Sequence, residues 1–159
     1  MGWILEVGES TESVESHEAL SASLANLRAR NDWVVRLVQR AGKLAGWQSA
    51  LYRLLGLSTE MDGQSVLVRA AGELAAVSLL DEDFNETLVV GPQPLQEPDG
   101  NVQFTLGKGE IETRHRADCM GTQEAISFLL RFFDQGTRPH GFRYVKLRRG
   151  GVRTADAVS

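Results

Sequence analysis

Apolar residues in the segment 122–136 recur every three or four positions, and this spacing predicts an amphipathic helix. Its predicted apolar face consists of Ala125, Ile126, Leu129, Leu130 and Phe133. We expect the Thr122 side chain to accept a hydrogen bond from a free amide at the helix start. Gly136 is the residue type that ends helices in a left-handed conformation, and Pro139 prevents any continuation.

The residues that follow this helix change to the spacing of a strand. Phe142, Tyr144 and Leu147 favour an extended segment, with Arg143 and Lys146 available to face water. The helix, the turn and the strand therefore predict one packing unit.

The N-terminal region shows the same two patterns in the opposite order. In residues 3–7, Trp3, Leu5 and Val7 alternate with Ile4 and Glu6, and this spacing favours a first strand. From residue 16 the pattern is helical, because Leu20, Leu24 and Leu27 lie on one stripe. Ser16 is the expected cap of this helix.

Residues 33–42 fit either a strand or a helix, and short apolar runs do not separate the two. We favour a strand, followed by an extra helical segment near residues 40–57 that ends at Gly56. We expect Trp47 in this segment to pack in the core.

Turn residues divide the middle of the chain into short β segments. These segments occupy residues 66–69, 75–80, 87–90, 102–106 and 111–114. The predicted fold class is α+β, with an antiparallel β-sheet meander packed against an N-terminal and a C-terminal helix. We expect residues 1–150 to form a single domain and residues 151–159 to form a flexible C-terminal tail.

Composition favours a cytoplasmic protein that binds no membrane. Hydrophobic residues make up 42% of the 159 positions, but no apolar run approaches the roughly 20 residues that span a bilayer. The first ten residues lack the basic and apolar regions of an export signal. Cys119 is the single cysteine, which excludes an internal disulfide and fits a reducing compartment.

No combination of residues predicts catalysis, a cofactor or a metal site. Cys119 lacks a catalytic flanking signature, and Asp81, Glu82 and Asp83 fit a solvated acidic loop better than an acid/base pair. His115 lies four residues before Cys119, but no second pair of metal ligands accompanies them. A pI of about 5.4 opposes nucleic-acid binding by the basic C-terminal region. We therefore expect a non-enzymatic protein, and Cys119 or the acidic loop would be the centre of any enzyme.

The charges are distributed unevenly along the chain. Residues 73–112 contain nine acids and a single base, Lys108, while residues 1–24 contain five acids and no Lys or Arg. Such a distribution fits either a solvated acidic face or a docking surface for a basic protein.

A set of spaced residues extends through most of residues 1–147. It begins with Gly2 and Trp3 before a Ser/Glu-rich turn and the 20–27 helix. The 66–68, 77–80 and 88–90 strands and the 100–106 segment with Glu112 follow. It ends with the 125–133 helix and with Gly136, Arg138 and Pro139 before an aromatic strand. In the order of these helices, strands and turns, the chain resembles the first-numbered immunity family of bacterial polymorphic toxin systems. The most specific piece is the combination of Phe133, Gly136, Arg138 and Pro139 at their present spacing.

The resemblance implies a small cytoplasmic α+β protein that binds and neutralises a cognate toxin domain, with nucleic-acid deaminases among the toxin types. A toxin that acts on nucleic acid needs a basic cleft, which would attract an acidic surface. The predicted partner-binding residues are Asp81, Glu82, Asp83, Phe84, Glu86, Glu97, Asp99, Glu110 and Glu112. The alternative is a non-enzymatic chaperone or adaptor that binds a secreted protein through the same surface.

Overall fold

The computed structural model describes residues 2–43, 46–56, 60–83, 85–147 and 153–155. The helices in this part of the chain are α1 (His17–Arg28), α2 (Gly46–Leu54) and α3 (Thr122–Gln135). The strands are β1 (Trp3–Val7), β2 (Ser10–Val14), β3 (Asp32–Lys43), β4 (Glu60–Ala71), β5 (Leu74–Leu80), β6 (Glu86–Val90), β7 (Asn101–Thr105), β8 (Ile111–His115), β9 (Met120–Gly121), β10 (Arg143–Leu147) and β11 (Arg153–Ala155).

Within the described residues, nine strands form one antiparallel sheet in the order β11-β10-β6-β5-β4-β3-β1-β2, with β9 paired to one end of β5. This arrangement confirms the predicted α+β class and the antiparallel sheet packed against helices. Residues 33–42 belong to β3, which decides between the two structures that the sequence allows. In contrast to the predicted meander, β7 and β8 leave the main sheet and pair with each other.

Helices α1 and α3 cover one face of the main sheet. Side chains alternate across a strand, so Val66, Val68 and Val77 point to the same face and are buried in the main core. The helices contribute Leu20, Leu24, Leu27, Ala125, Ile126, Phe128, Leu129 and Phe132 to this core. The predicted stripe of α1 is therefore the buried one.

The apolar face of α3 is wider than its predicted stripe. Phe128 and Phe132 are fully buried, whereas Leu130 and Phe133 are only partly buried at the margin of the core. The ring of Phe128 lies between two others, with Phe142 edge-on at 4.9 Å and Phe132 stacked at 6.4 Å between centroids. The buried face of α3 therefore includes the aromatic residues Phe128 and Phe132, which the predicted stripe omitted.

The β7–β8 hairpin covers part of the opposite face of the main sheet. Its inward side chain Phe104 is fully buried against Ala76 of β5 and Cys119. Ala76 precedes Val77 in β5 and therefore points away from the helices. The second, smaller core consequently lies between two sheets rather than between a sheet and a helix.

The ends of the helices agree with prediction at two positions and differ at one. The Ser16 hydroxyl accepts a hydrogen bond of 3.1 Å from the Ala19 amide at the start of α1, and Gly136 ends α3 with a φ of 66°. The prediction for Thr122 is wrong, because its hydroxyl donates to the Gly72 carbonyl at 3.0 Å. Thr122 thereby ties the start of α3 to the β4–β5 turn, and Gly121 occupies the cap position.

Helix α2 connects the far ends of β3 and β4, and no described side chain of α2 is buried. Trp47, which we expected in the core, is 73% exposed. The reason is topological, because the β3–β4 ribbon carries α2 away from the face that α1 and α3 occupy.

The predicted flexible tail contains one short element. Residues Arg153–Ala155 form β11, which pairs with β10 at the edge of the main sheet. Residues 151, 152 and 156–159 lie outside the described residues.

Replacing Phe128 with Ala tests the ring packing beneath α3. The change removes a fully buried ring and leaves a cavity, so we expect the free energy of unfolding to fall by about 3–5 kcal/mol. Urea denaturation measures this quantity, with Ile111→Ala as the control, since Ile111 is 64% exposed. Equal effects of the two substitutions would contradict the proposed packing.

Candidate protein-binding surface

The predicted partner-binding residues lie in three loops and two strands. Asp81, Glu82 and Asp83 occupy the β5–β6 loop, and all three are exposed. Glu97 and Asp99 are exposed in the segment between β6 and β7, and Glu110 is exposed at the turn of the β7–β8 hairpin. Glu86 begins β6 and Glu112 lies in β8. Phe84 lies outside the described residues.

The β5–β6 loop is held by hydrogen bonds to one carboxylate. Asp81 Oδ1 accepts from the amides of Asp83 and Asn85 at 2.9 and 2.8 Å, and Oδ2 accepts from Asn85 Nδ2 at 2.9 Å. These bonds, first that from the Asn85 side chain, together with the nearby charge of Arg138, lower the pKa of Asp81. Asp81 therefore shapes the loop, and Glu82 and Asp83 point their charges into solvent.

Glu82 borders an open groove with a volume of about 640 Å³. Its lining includes the small residues Ala41 and Gly63, together with Arg138 and His140 from the segment that follows α3. Arg138 stacks over the Tyr144 ring, with 5.4 Å from its guanidinium carbon to the ring centroid. The groove thus presents both signs of charge beside the acidic loop.

The other two loops are fixed by backbone contacts. Arg116 Nε donates to the Glu97 carbonyl at 2.8 Å, and its amide donates to the Gly100 carbonyl at 2.9 Å. At the hairpin turn, the Leu106 amide donates to the Glu110 carbonyl at 2.7 Å, and Lys108 adopts a φ of 64°. The side-chain carboxylates of these loops are left to face water.

Glu86 and Glu112 are placed differently, because they bind two arginines between the sheets. Arg69 of β4 lies 2.5 Å from Glu112 and 3.6 Å from Glu86, and Arg114 of β8 lies 2.7 Å from Glu86 and also pairs with Glu112. Ser78 accepts from Arg69 at 3.1 Å and donates to Glu86 at 2.5 Å. We call these five residues the interlayer network.

The interlayer network is largely removed from water. The Arg69 side chain is 6% exposed, and those of its two glutamates are 20–25% exposed. Arg69 Nε is close enough to Glu112 for an ion pair but is not aligned for a hydrogen bond. The attraction there is therefore mainly between charges, while Ser78 supplies an aligned hydrogen bond to the same guanidinium.

Burial and ion pairing act in opposite directions on the pKa values in this network. Burial raises the pKa of Glu86, but the Ser78 hydroxyl and the two arginines outweigh it, and the net pKa is lowered. Burial also lowers the pKa of Arg114, and the two glutamates reverse this so that the net pKa is raised. For Arg69 the effect of burial dominates and lowers the pKa. An arginine nevertheless keeps its charge in proteins.

Sequence reasoning missed Arg69, Ser78 and Arg114. The available signal was Arg69 itself, which interrupts the apolar run of β4 in the middle of a buried strand. A buried charge needs a partner, so an inward-pointing arginine predicts an acid nearby. Its partner in β8 lies more than forty positions away and could not be chosen from the sequence.

Cys119, the candidate nucleophile of the enzyme hypothesis, is 3% exposed. Burial, followed by the charge of Asp118, raises the pKa of its thiol to about 11. Its Sγ lies 3.5 Å from the His115 carbonyl. Because the thiolate is the reactive form, a thiol in this environment is a poor nucleophile.

The interlayer network should control stability, and replacing Arg69 with Met tests this. The substitution keeps the apolar stem but leaves two partly buried carboxylates with one cation, so the free energy of unfolding should fall by about 3 kcal/mol. Urea denaturation measures the change, with exposed Arg143→Met as the matched control. Adding Glu112→Gln should restore part of the loss, and simple additivity of the two substitutions would contradict coupling between them.

The lowered pKa of Glu86 predicts a pH dependence of stability. A carboxylate whose pKa is depressed by folding adds stability above its unfolded pKa, ordinarily 4.5, and loses it as pH falls through the folded pKa. The stability difference between the wild type and Glu86→Gln should thus stay constant near neutral pH and shrink as pH falls below about 4. Urea titrations across this range measure it, and a difference that grows on acidification would contradict the assignment.

Comparison with known proteins does not assign the chain to a family. No model of a known protein family matches the chain, and no curated protein matches it significantly. Among the described residues, no helix is long and apolar enough to cross a membrane, and no group of three or more His, Cys, Asp or Glu side chains is arranged to hold a metal ion.

Proposed function

We propose that this protein is a cytoplasmic immunity protein that binds a toxin domain through acidic loops and blocks it without catalysis. One observation carries the proposal. Within the part of the chain that the structure describes, Glu86 and Glu112 are the acids of residues 73–112 whose charge is offset by internal arginines. The remaining seven are exposed. The resemblance of the chain to the immunity family, in the order of its helices, strands and turns, also supports the proposal.

The exposed acids have the properties of an electrostatic docking surface. In the described structure, the carboxylates of Glu82, Asp83, Glu97, Asp99 and Glu110 form no ion pair with another side chain. Their negative charge is therefore available to a partner. A toxin that acts on nucleic acid carries a basic cleft, and such a cleft attracts acidic loops and is closed to substrate once they bind.

The proposal gives different roles to different members of the predicted set. The exposed loop acids make the electrostatic contact, and Asp81 holds the β5–β6 loop in the shape that presents Glu82 and Asp83. Glu86 and Glu112 act indirectly, because they attach the β7–β8 hairpin, which carries Glu110, to the main sheet. A rigid scaffold lowers the entropy lost when charged loops bind.

A chaperone or adaptor for a secreted protein is the second candidate. The groove beside Glu82 favours it, since an open groove of about 640 Å³ with small residues in its lining suits an extended client segment. The gene next to this one separates the candidates. A toxin domain encoded there supports the immunity function, and a secretion substrate without a toxin domain supports the chaperone.

Charge reversal in the β5–β6 loop tests the proposed surface. We expect Glu82→Lys with Asp83→Lys to slow association with the toxin domain encoded by the adjacent gene by about tenfold at low ionic strength, and less at high salt. Stopped-flow or surface plasmon resonance measures the rate, and survival of cells that co-express the toxin gives the functional result.

The control for this experiment is Glu12→Lys with Glu15→Lys, which changes the net charge equally at exposed positions in or next to the edge strand β2. The control should leave most of the association rate intact. Equal slowing by both pairs would mean that net charge alone acts, and an unchanged rate for the loop variant would remove the loop from the contact surface.

A further inference from the structure

Strand β4 extends beyond the strand that pairs with it on one side. Its residues 65–71 pair with β5, which ends at Leu80, where the β5–β6 loop begins. Residues 60–64 of β4 pair with β3, and within the described residues no strand lies along their other edge. We call residues 60–64 the β4 extension, and its backbone is about 16 Å long. An open strand edge is a template for pairing with another chain.

The groove beside Glu82 includes residues of the β4 extension. Gly63 and Gln64 line it, and Glu82 belongs to the loop that follows β5. The other lining residues come from β3 and from residues 136–140, which follow α3. The groove therefore lies where β5 has ended and β4 continues, and it is open to a segment of another chain.

Irregular pairing between β3 and β4 shapes this part of the groove. The register shifts twice between Val38 and Gly42. Four lining residues at these shifts have no partner in the β3–β4 register: Gln39, Ala41, Gly63 and Gln64. Position 63 requires glycine, because a Cβ atom there would lie 2.9 Å from the Gln39 carbonyl oxygen. Bulges redirect side chains and discourage indiscriminate pairing, so a partner strand has to match this groove.

The lining offers hydrogen-bonding groups and both signs of charge. Gln64 and Thr137 are exposed and supply an amide and a hydroxyl group. Within the described residues, the carboxylate of Glu82 and the guanidinium of Arg138 form no ion pair. An extended peptide has free main-chain donors and acceptors, whereas a helix has already paired most of its own. The groove is thus suited to an extended segment rather than to a helix.

We propose that an extended segment of the toxin domain lies in this groove and adds a strand to the open edge of the β4 extension. Main-chain hydrogen bonds supply affinity in this mode of binding, and side-chain contacts supply selectivity. Glu82 selects a basic residue of the segment and Arg138 an acidic one. The inference rests on the proposed function, because a partner drawn to Glu82 and Asp83 reaches the groove that Glu82 lines.

Hydrogen exchange measured by mass spectrometry tests the added strand. The probe is the toxin domain encoded by the adjacent gene. On binding, we expect amides of the β4 extension to exchange about tenfold more slowly than in the free protein, since an added strand protects them. The control is the edge strand β2, whose amides should exchange at the same rate in the free protein and in the complex.

Filling the groove tests the same site through the dissociation rate. Ala41 is exposed and lines the groove, so Ala41→Trp places a large ring there. We expect the complex to dissociate about tenfold faster, with little change in association because the loop acids are intact. The matched control is Ala25→Trp on the exposed side of α1, which should leave both rates unchanged. Surface plasmon resonance measures both rates.

The results separate this inference from the proposed function. A complex in which the β4 extension exchanges as in the free protein would overturn the added strand alone. Equal dissociation rates for Ala41→Trp and Ala25→Trp would do the same. Absence of any complex with the wild type would overturn the proposed function and this inference together.

Two further outcomes would assign the open edge to another occupant. Protection of the β4 extension that grows with concentration in the protein alone would identify a second copy. Protection by a secreted protein encoded next to this chain, and none by a toxin domain, would identify the client of a chaperone. Either result would overturn the toxin segment as the occupant of the groove.

Discussion

Burial of Arg69 in the middle of β4 is the constraint on which the second face of the sheet depends. A guanidinium removed from water requires compensating charge, and β4 itself supplies none at that position. Glu86 and Glu112 provide it from two different layers, and Arg114 balances the second negative charge. The β7–β8 hairpin is therefore attached by the ionic contacts of Glu112 and Arg114 and by Phe104, which lies opposite Glu112 in the hairpin.

This attachment determines which acids remain available to a partner. The sequence contains an acidic stretch that looks uniform, but folding divides it into a neutralised interior pair and an exposed remainder. The exposed acids of the β5–β6 loop and of the segment before β7 lie on backbone that is held by hydrogen bonds to Asp81 and Arg116. A surface of this kind favours fast and selective encounter with a basic protein.

The sheet also separates two surfaces of opposite character. The acidic loops lie around the β5–β6 connection and the hairpin, whereas helix α2, with its exposed apolar side chains, is at the end of the β3–β4 ribbon.

Local sequence determined the elements whose signals are contained within a few residues. Ser16 caps α1, Gly136 ends α3, and the Leu20 stripe is buried, since propensity and periodicity act over one or two turns of chain. Thr122 and Trp47 differ from expectation because their environments come from distant segments, the β4–β5 turn and the projecting ribbon. The pairing of Arg69 with Glu112 likewise depends on how the hairpin folds over the sheet. Only the tertiary structure decided which charged side chains form ion pairs in the interior. The sequence around a charged residue does not identify the partner that folding places next to it.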